Sequence, residues 1–582
     1  MLRALLVYLL FFSFLPYSGA QQASDTFAPE GESGTQETNL VSAENFMVVT
    51  ANPYASQAGF QMLQLGGNSI DAMVAVQATL GLVEPQSSGL GGGGFLVYYD
   101  AVHDKLTTYD GRETAPRTAT PELFLNPQGE PLEFFEAVIG GRSVGAPGLV
   151  RLLYDTHAKY GSLPWAKVLE PAIGLARQGF TVSPRLHSLI AADVANLSRY
   201  QETREYFLPS DLPLQVGSTL KNTAYAKTLE TLAAGGAAAF YTGQIAEDIV
   251  ATVRDAEVNP GLLGLEDLAS YRVIQRAAVC TPYKSYEICG MGPPSSGGLS
   301  VGQIMGITSS FDLKEKGDKA PQSWRLIGDA SRLAFADRAR YMADSDFVPM
   351  PTKGLTSPGY MAERAKLLAG EKALSPEQVV AGTPPWDHAM RQADDESLEL
   401  PSTTHFVIVD ADGNVVSMTS SIENGFGSRL MTNGFLLNNQ STDFSFRTHR
   451  NGVPIANRVE PGKRARSSMA PTIVMQDDKP VIAIGSPGGS RIIGYVATSL
   501  LAMLEWDMNI QQAVEFPHAI NRFGTYDLEK GTWMEELKEP LEMLGYDVDI
   551  KDMNSGLHGI YISSEGLEGG VDPRREGVAL GQ

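Results

Sequence analysis

Residues 403–422, TTHFVIVDADGNVVSMTSSI, call for an antiparallel strand pair. Two alternating, β-rich runs flank Asp412-Gly413, a strong hairpin turn signal, and Asp410 and Asn414 widen the loop slightly. Pairing centred near residue 412 sets Thr403 opposite position 421 or 422. Directly opposed residues share a face of a sheet. Ser421 and, two residues on, Glu423 are therefore expected beside the Thr403 hydroxyl, with His405 on the same face. A strand that merely filled a core would not end in so polar a group.

Upstream, residues 375–401 carry four prolines and an acidic run without periodicity, which reads as an exposed segment. A threonine inside a chain is a poor nucleophile because its hydroxyl is hardly ever ionised. A chain cut before Thr403 would give it a free α-amine of pKa about 8, close to what a general base needs. Two readings stand on these residues alone: the start of an ordinary edge strand, or a nucleophile released by self-cleavage.

The glycine runs differ in what they can do. Residues 89–94 fit GxGxxG, but a helix precedes and the strand 95–99 follows, the reverse of a dinucleotide site. Close backbone approach is the expected use. In PVIAIGSPGGSR a strand leads through 485–490 into a helix. The N–H groups of Gly488 and Gly489 at such a helix start suit an oxyanion. Arg112, at a strand end in DGRE, can hold a carboxylate bidentately or pair with Glu113. GSPGG is not a GxSxG nucleophile elbow, and no histidine has a telling context, which disfavours a Ser/His/Asp hydrolase.

The remaining pattern indicates α+β layers rather than a parallel doubly wound sheet. Helices are expected at 55–65 and 69–83, then a hairpin around Asp104. A mainly helical middle runs from about 147 to 370, broken near 260–300 by a strand pair. Strands follow residue 403, and helices begin near 491. Residues 1–20, MLRALLVYLLFFSFLPYSGA, read as an export signal, and no later stretch is long and apolar enough to span a bilayer. The mature chain is expected to be soluble and either periplasmic or secreted. Cys280 and Cys289 could meet across a turn at 282–285 in an oxidising compartment, and their spacing does not match a metal site. A net charge of −22 argues against nucleic acid or anionic membrane as a main partner.

Eight motifs, in order, carry a family resemblance: EPQSSGLGGGGF, DGRETAP, PPSSGGLS, STTHF, GFLLNNQSTDFS, KRARSSMAPT, GSPGGSR and DPRREG. From about residue 44 to 577 the chain resembles the γ-glutamyltransferase (glutathione hydrolase) family of N-terminal-nucleophile hydrolases. The resemblance implies a four-layer αββα sandwich made of two subunits cut from one precursor. The large subunit would be 21–402 and the small, catalytic subunit 403–582, interleaved as a heterodimer in one fold. It further implies that Thr403 is the nucleophile, supported by the Ser421 hydroxyl, with Gly488 and Gly489 as oxyanion-hole amides. Arg112, Ser467 and Ser468 would hold the glutamyl α-carboxylate, and Asp443, Gln440 and Glu423 its α-amine. Glutathione and related compounds would be donors, water or amino-acid and peptide amines the acceptors, and no metal or cofactor is implied. Position 421 departs from the commoner threonine, and Glu423 replaces the asparagine of several members, adding negative charge near the amine. The segment 444–466 is compact and lacks an aromatic gate residue. A cephalosporin (glutaryl) acylase-like amidase and an uncleaved, non-catalytic binding protein are the alternatives on this scaffold.

Overall fold

The hairpin forms in the expected register. Strand Thr404–Val409 pairs with Val415–Ser421 from Thr404↔Ser420 to Val409↔Val415, which sets Thr403 across from Ser421. The computed structural model describes residues 36–386, 391–397, 399–400 and 402–582. The export signal expected at 1–20 lies outside the described residues. No described helix is long and apolar enough to cross a membrane.

Two seven-stranded sheets, each paired antiparallel throughout, form the centre. One runs Val578–Gly581, Met47–Thr50, Thr404–Val409, Val415–Ser421, Gly93–Asp100, Lys105–Gly111, Ile274–Arg276. The other runs Val41–Ala43, Gly566–Val571, His558–Ser563, Lys479–Gly485, Thr472–Gln476, Tyr286–Gly290, Val279–Tyr283. Strand alternation sorts the hairpin side chains between two cores. Phe406, Ile408, Val416 and Met418 pack among helices that include Ser69–Val83. Val407, Val409 and Val415 meet Ile473, Ala483 and Ile560 between the sheets. The far face of the second sheet, with Val474, Ile482 and Ile484, packs on helices Gly297–Thr308, Pro321–Tyr341 and Ile492–Leu504. The order is helix, sheet, sheet, helix: the four-layer αββα sandwich that the resemblance implied.

Both central strands of the hairpin are buried along their whole length, because the sheet is covered on both faces. Helix Ser69–Val83 is buried all round and starts at a capping box between Asn68 and Asp71. Strands from before and after residue 402 pair with one another in both sheets, so a cut there would leave two chains in one fold. Cys280 and Cys289 face each other across their hairpin and form a disulfide.

The 89–94 glycines serve close approach. A Cβ on Gly92 would lie 2.2 Å from the Ser421 carbonyl oxygen, and one on Gly91 2.1 Å from that of Leu436. Gly92→Ala is expected to push the Ser421 backbone aside, costing about 1–3 kcal/mol of stability and slowing any cleavage before Thr403. A melting curve and a gel time course check this. A variant that melts and matures like the wild type would contradict it.

Candidate active site

Thr403 and Ser421 meet at the hairpin end, where the 402–403 peptide bond is held from several sides. The Thr403 hydroxyl approaches Ser421 Oγ at 3.4 Å, and Ser421 Oγ donates to the Ser402 carbonyl oxygen at 2.8 Å. The backbone N–H of Glu423 donates to Ser421 Oγ at 2.7 Å, fixing that hydroxyl. Ser402 Oγ donates to the Gln86 carbonyl at 2.7 Å, and Arg575 Nη1 to the Thr403 carbonyl at 3.2 Å. A hydroxyl therefore stands beside a carbonyl that already accepts a hydrogen bond, the arrangement that favours attack on that carbonyl.

A small cavity opens at this point, lined in part by Thr403, Arg112, Asp443 and Gly489. Arg112 leaves the strand Lys105–Gly111 and is 1% exposed, so it is no surface residue, although its Nη1 lies 3.9 Å from the buried Glu113 carboxyl. Its Nη2 pairs with the Asp443 carboxylate and donates to the Arg466 carbonyl at 2.9 Å, while Nε donates to the Ala465 carbonyl at 3.2 Å. A turn of 3-10 helix, Gln440–Asp443, carries two further residues of the site, and Gln440 Nε2 donates to Asp443 at 3.0 Å. Glu423 leaves the strand with φ 78°, turning its carboxyl onto Asn439. Three oxygens in this corner, Glu423 Oε1, Gln440 Oε1 and Asp443 Oδ1, are met by no amide, hydroxyl or cationic donor among the described residues, and the Glu423 and Asp443 carboxyls lie against each other. Buried acceptors left open in this way call for a ligand with several donors.

Burial, and then the neighbouring Asp443, push the Glu423 carboxyl well above the usual carboxylate range. Burial also raises Asp443, although Arg112 pulls it down. Glu423 therefore holds its proton more tightly than an exposed glutamate does, which lessens the extra negative charge expected from it. Two carboxyls side by side in a dry pocket do not both ionise.

Residues 375–383 are exposed or half-buried, as their composition suggested, but the stretch just before Thr403 is not. Glu399, Leu400 and Ser402 are all buried. The Glu399 carboxylate is held by Arg338 and Ser468 through short contacts and by Arg466 Nε at 3.3 Å. Burial opposes its charge, but Arg338 and Arg466 outweigh burial and hold the carboxyl at about 2. Leu400 packs on Gly489: a Cβ there would lie 2.8 Å from the Leu400 carbonyl carbon. Gly488 and Gly489, with φ of 132° and 58°, lead through a short 3-10 turn into helix Ile492–Leu504. Ser467 lines the cavity, and its Oγ accepts the Met469 N–H at 3.1 Å.

Arg338, Arg466, Arg575, Asn439 and Glu399 escaped sequence reasoning. Arg466 and Arg575 sit in motifs quoted for the resemblance, KRARSSM and DPRREG, but nothing in their spacing distinguishes them from neighbouring basic residues. His405 has a packing role. Its Nδ1 bonds Thr419 Oγ1 at 2.8 Å, and its ring wedges against Gly485 of the other sheet. Burial, aided by His558, lowers its pKa well below the usual value, so it stays neutral.

Ser421→Ala removes the one donor on the Ser402 carbonyl and is expected to slow cleavage before Thr403 by about 10²–10³-fold. Cleavage at the wild-type rate in a gel time course would argue against the role. A second test follows from Glu113, whose two carboxyl oxygens accept no hydrogen bond among the described residues and whose Oε2 lies 3.9 Å from Arg112 Nη1. Burial lifts its pKa to about 8 against the pull of Arg112. An unfolded glutamate titrates near 4.3, so the raised group stabilises the fold fully below that pH. Its contribution is lost as pH rises through about 8. In the Thr403→Ala background, Glu113→Gln should flatten the fall in melting temperature between about pH 5 and 9. Parallel curves for the two proteins would refute the assignment.

Comparison with known proteins agrees with this geometry. A family profile described as Gamma-glutamyltranspeptidase matches residues 55–582. The chain is 36% identical over 548 residues to a glutathione hydrolase proenzyme of Bacillus subtilis, covering 92% of this chain and 91% of that protein. It is 35% identical over 563 residues to a glutathione hydrolase proenzyme of Escherichia coli, covering 94% of each. The crystal structure of a cephalosporin acylase from Bacillus halodurans matches with a TM-score of 0.83 at 26% identity, covering 96% of this chain and 99% of that one.

Proposed function

The chain belongs to the gamma-glutamyltranspeptidase family, and from that premise we propose a self-processing γ-glutamyl hydrolase/transferase with Thr403 as nucleophile. One observation carries the reading. Three acceptors with no amide, hydroxyl or cationic donor among the described residues, on Glu423, Gln440 and Asp443, face the same cavity as Arg112 and Thr403. That is the complement of an ammonium beside a carboxylate, the free end of a γ-glutamyl group.

Processing comes first. Thr403 Oγ attacks the Ser402 carbonyl, which Ser421 polarises, and the acyl group passes from the Thr403 nitrogen to its oxygen. Water then hydrolyses this ester, freeing the Ser402 carboxylate and the Thr403 α-amine. That amine takes the proton from Thr403 Oγ as the oxygen attacks the γ-carbonyl of a donor such as glutathione. The Gly488 and Gly489 amides receive the oxyanion. The proton passes to the departing amine, leaving a γ-glutamyl ester on Thr403. Water releases glutamate, or the amine of an amino acid or peptide takes the glutamyl group. Arg112, Ser467 and Ser468 hold the α-carboxylate, and Asp443 and Gln440 the ammonium. Glu423 yields its proton as that cation arrives. The scheme uses side chains and backbone alone, in an exported protein of subunits 21–402 and 403–582.

Likeness to a cephalosporin acylase favours a second reading, a glutaryl amidase. A glutaryl group has no α-amine and would bring no cation to Asp443 and no donor to Gln440, a loss of about 1–3 kcal/mol for an unmatched buried acceptor. It ranks below the γ-glutamyl reading for that reason. The uncleaved binding protein does not fit membership of an enzyme family.

Purified wild type is expected to run as two pieces in roughly a two-to-one length ratio, as 21–402 and 403–582 imply, and Thr403→Ala as one inactive piece. γ-Glutamyl anilide should be cleaved faster than glutaryl anilide. Asp443→Ala should cost the γ-glutamyl substrate about 10²-fold or more in kcat/KM, the price of an unpaired buried charge. Turnover of glutaryl anilide alone, or by uncut protein, would reverse the reading.

A further inference from the structure

A carbonyl that a neighbouring hydroxyl must attack has to be held from both sides, and the 402–403 bond is held by different means on each. Downstream, Thr403 is fixed by the strand that starts at Thr404 and by Arg575 on its carbonyl. Upstream, residues 391–397 and 399–400 belong to no strand, and two buried acids, Asp395 and Glu399, anchor them. Asp395 meets Arg466 Nη2 at 3.0 Å and Asn457 Nδ2 at 3.1 Å. Glu399 is the last charged residue before the bond. Its carboxylate rests on Arg338, on Ser468 and, at 3.3 Å, on Arg466 Nε. Arg338 projects from helix Pro321–Tyr341, its Nε donating to Ser296 Oγ at 2.7 Å and its Nη2 to Ser468 Oγ at 2.8 Å.

We infer that Glu399 is a positioning residue for self-cleavage: its ion pairs with Arg338 and Arg466 tether the upstream half of the 402–403 bond and keep the Ser402 carbonyl within reach of the Thr403 hydroxyl. The inference rests on the proposed cleavage before Thr403, and on no particular donor. The tether exchanges no proton or electron pair. The Ser402 acyl group still passes from the Thr403 nitrogen to its oxygen, and Glu399 fixes only where that acyl group stands.

Placement is what this reaction needs. Hydroxyl and carbonyl belong to adjacent residues, so they require no encounter, and a shift of about 1 Å can slow such a step about 100-fold. Ser421 holds the carbonyl oxygen at 2.8 Å, while Glu399 holds the chain that carries it. Two buried guanidiniums facing two buried carboxylates add little stability, because desolvation offsets most of their attraction. They do fix register: a slip of one residue would carry Glu399 away and leave two buried cations short of an anion. Burial, and then Arg466 beside it, already bring the Arg338 pKa down to about 10, and Glu399 is the first charge that opposes them. The tether ends on helix Pro321–Tyr341, in the helical layer behind the second sheet.

The test is the first-order rate of cleavage of the full chain, followed on gels after cell-free synthesis is stopped. Glu399→Gln keeps the shape and loses the charge, and should be cut at least about tenfold more slowly than wild type. Glu399→Asp, which restores the charge, should recover part of that loss. Arg338→Lys, which keeps its charge but loses the fork, should be slowed as well. The double variant Arg338→Lys/Glu399→Gln should be no slower than the slower single one, because both changes break one tether. Slowing that multiplies would mean two separate losses, as a general weakening of the fold would give, and would overturn the proposal. Cleavage of Glu399→Gln at the wild-type rate would overturn it too. If a melting curve shows that Glu399→Gln does not fold, Glu399→Asp takes its place in the same cycle with Arg338→Lys. A wild type that stays uncut refutes self-processing itself, whereas a cut wild type with an equally fast Glu399→Gln refutes the tether alone.

Discussion

The register set by the turn at Asp412-Gly413 is the constraint on which the rest of the site hangs. A slip of one residue would turn every side chain of the hairpin to the other face and remove Ser421 from Thr403. The turn is held against such a slip. Gly413 takes φ 84° and its N–H bonds the Asp410 carbonyl at 3.0 Å. The Asp410 carboxylate accepts from the backbone and side chain of Asn414 and, at 2.7 Å, from the N–H of Ser69 at the start of a core helix. The turn that aligns the nucleophile is thus tied to the helical layer behind the sheet.

Around the aligned pair the protein keeps an unusual density of buried charge, and its stability depends on each charge being met. Arg112 meets Asp443; Arg338 and Arg466 meet Glu399 and Asp395. Glu423 and Glu113 lessen the cost by holding their protons more tightly.

Much of this was legible in the sequence because it is local. The alternating runs about Asp412-Gly413 gave the pairing of Thr403 with Ser421, and the spacing of helices and strands gave the layered fold. Motif order gave Arg112, Gln440 and Asp443, which the fold brings into one cavity. The misreadings concern contacts between distant parts of the chain. Residues 375–401 look like an exposed acidic run, and only the arginines at 338 and 466, on other elements, make Glu399 a buried ligand. Glu423 looks like added charge until Asp443, twenty residues on, is placed beside it. His405 shares the nucleophile's face but is claimed by the opposite sheet at Gly485.

The central claim is that Thr403 becomes the first residue of a chain and carries the acyl group on its own side chain. Mass spectrometry of protein quenched during turnover of a γ-glutamyl donor tests this most directly. The account predicts a proteolytic peptide that begins at Thr403 with a free amine and bears a γ-glutamyl ester on that residue. A γ-glutamyl group on any other residue, or a labelled peptide that runs unbroken through Ser402 into Thr403, would contradict it.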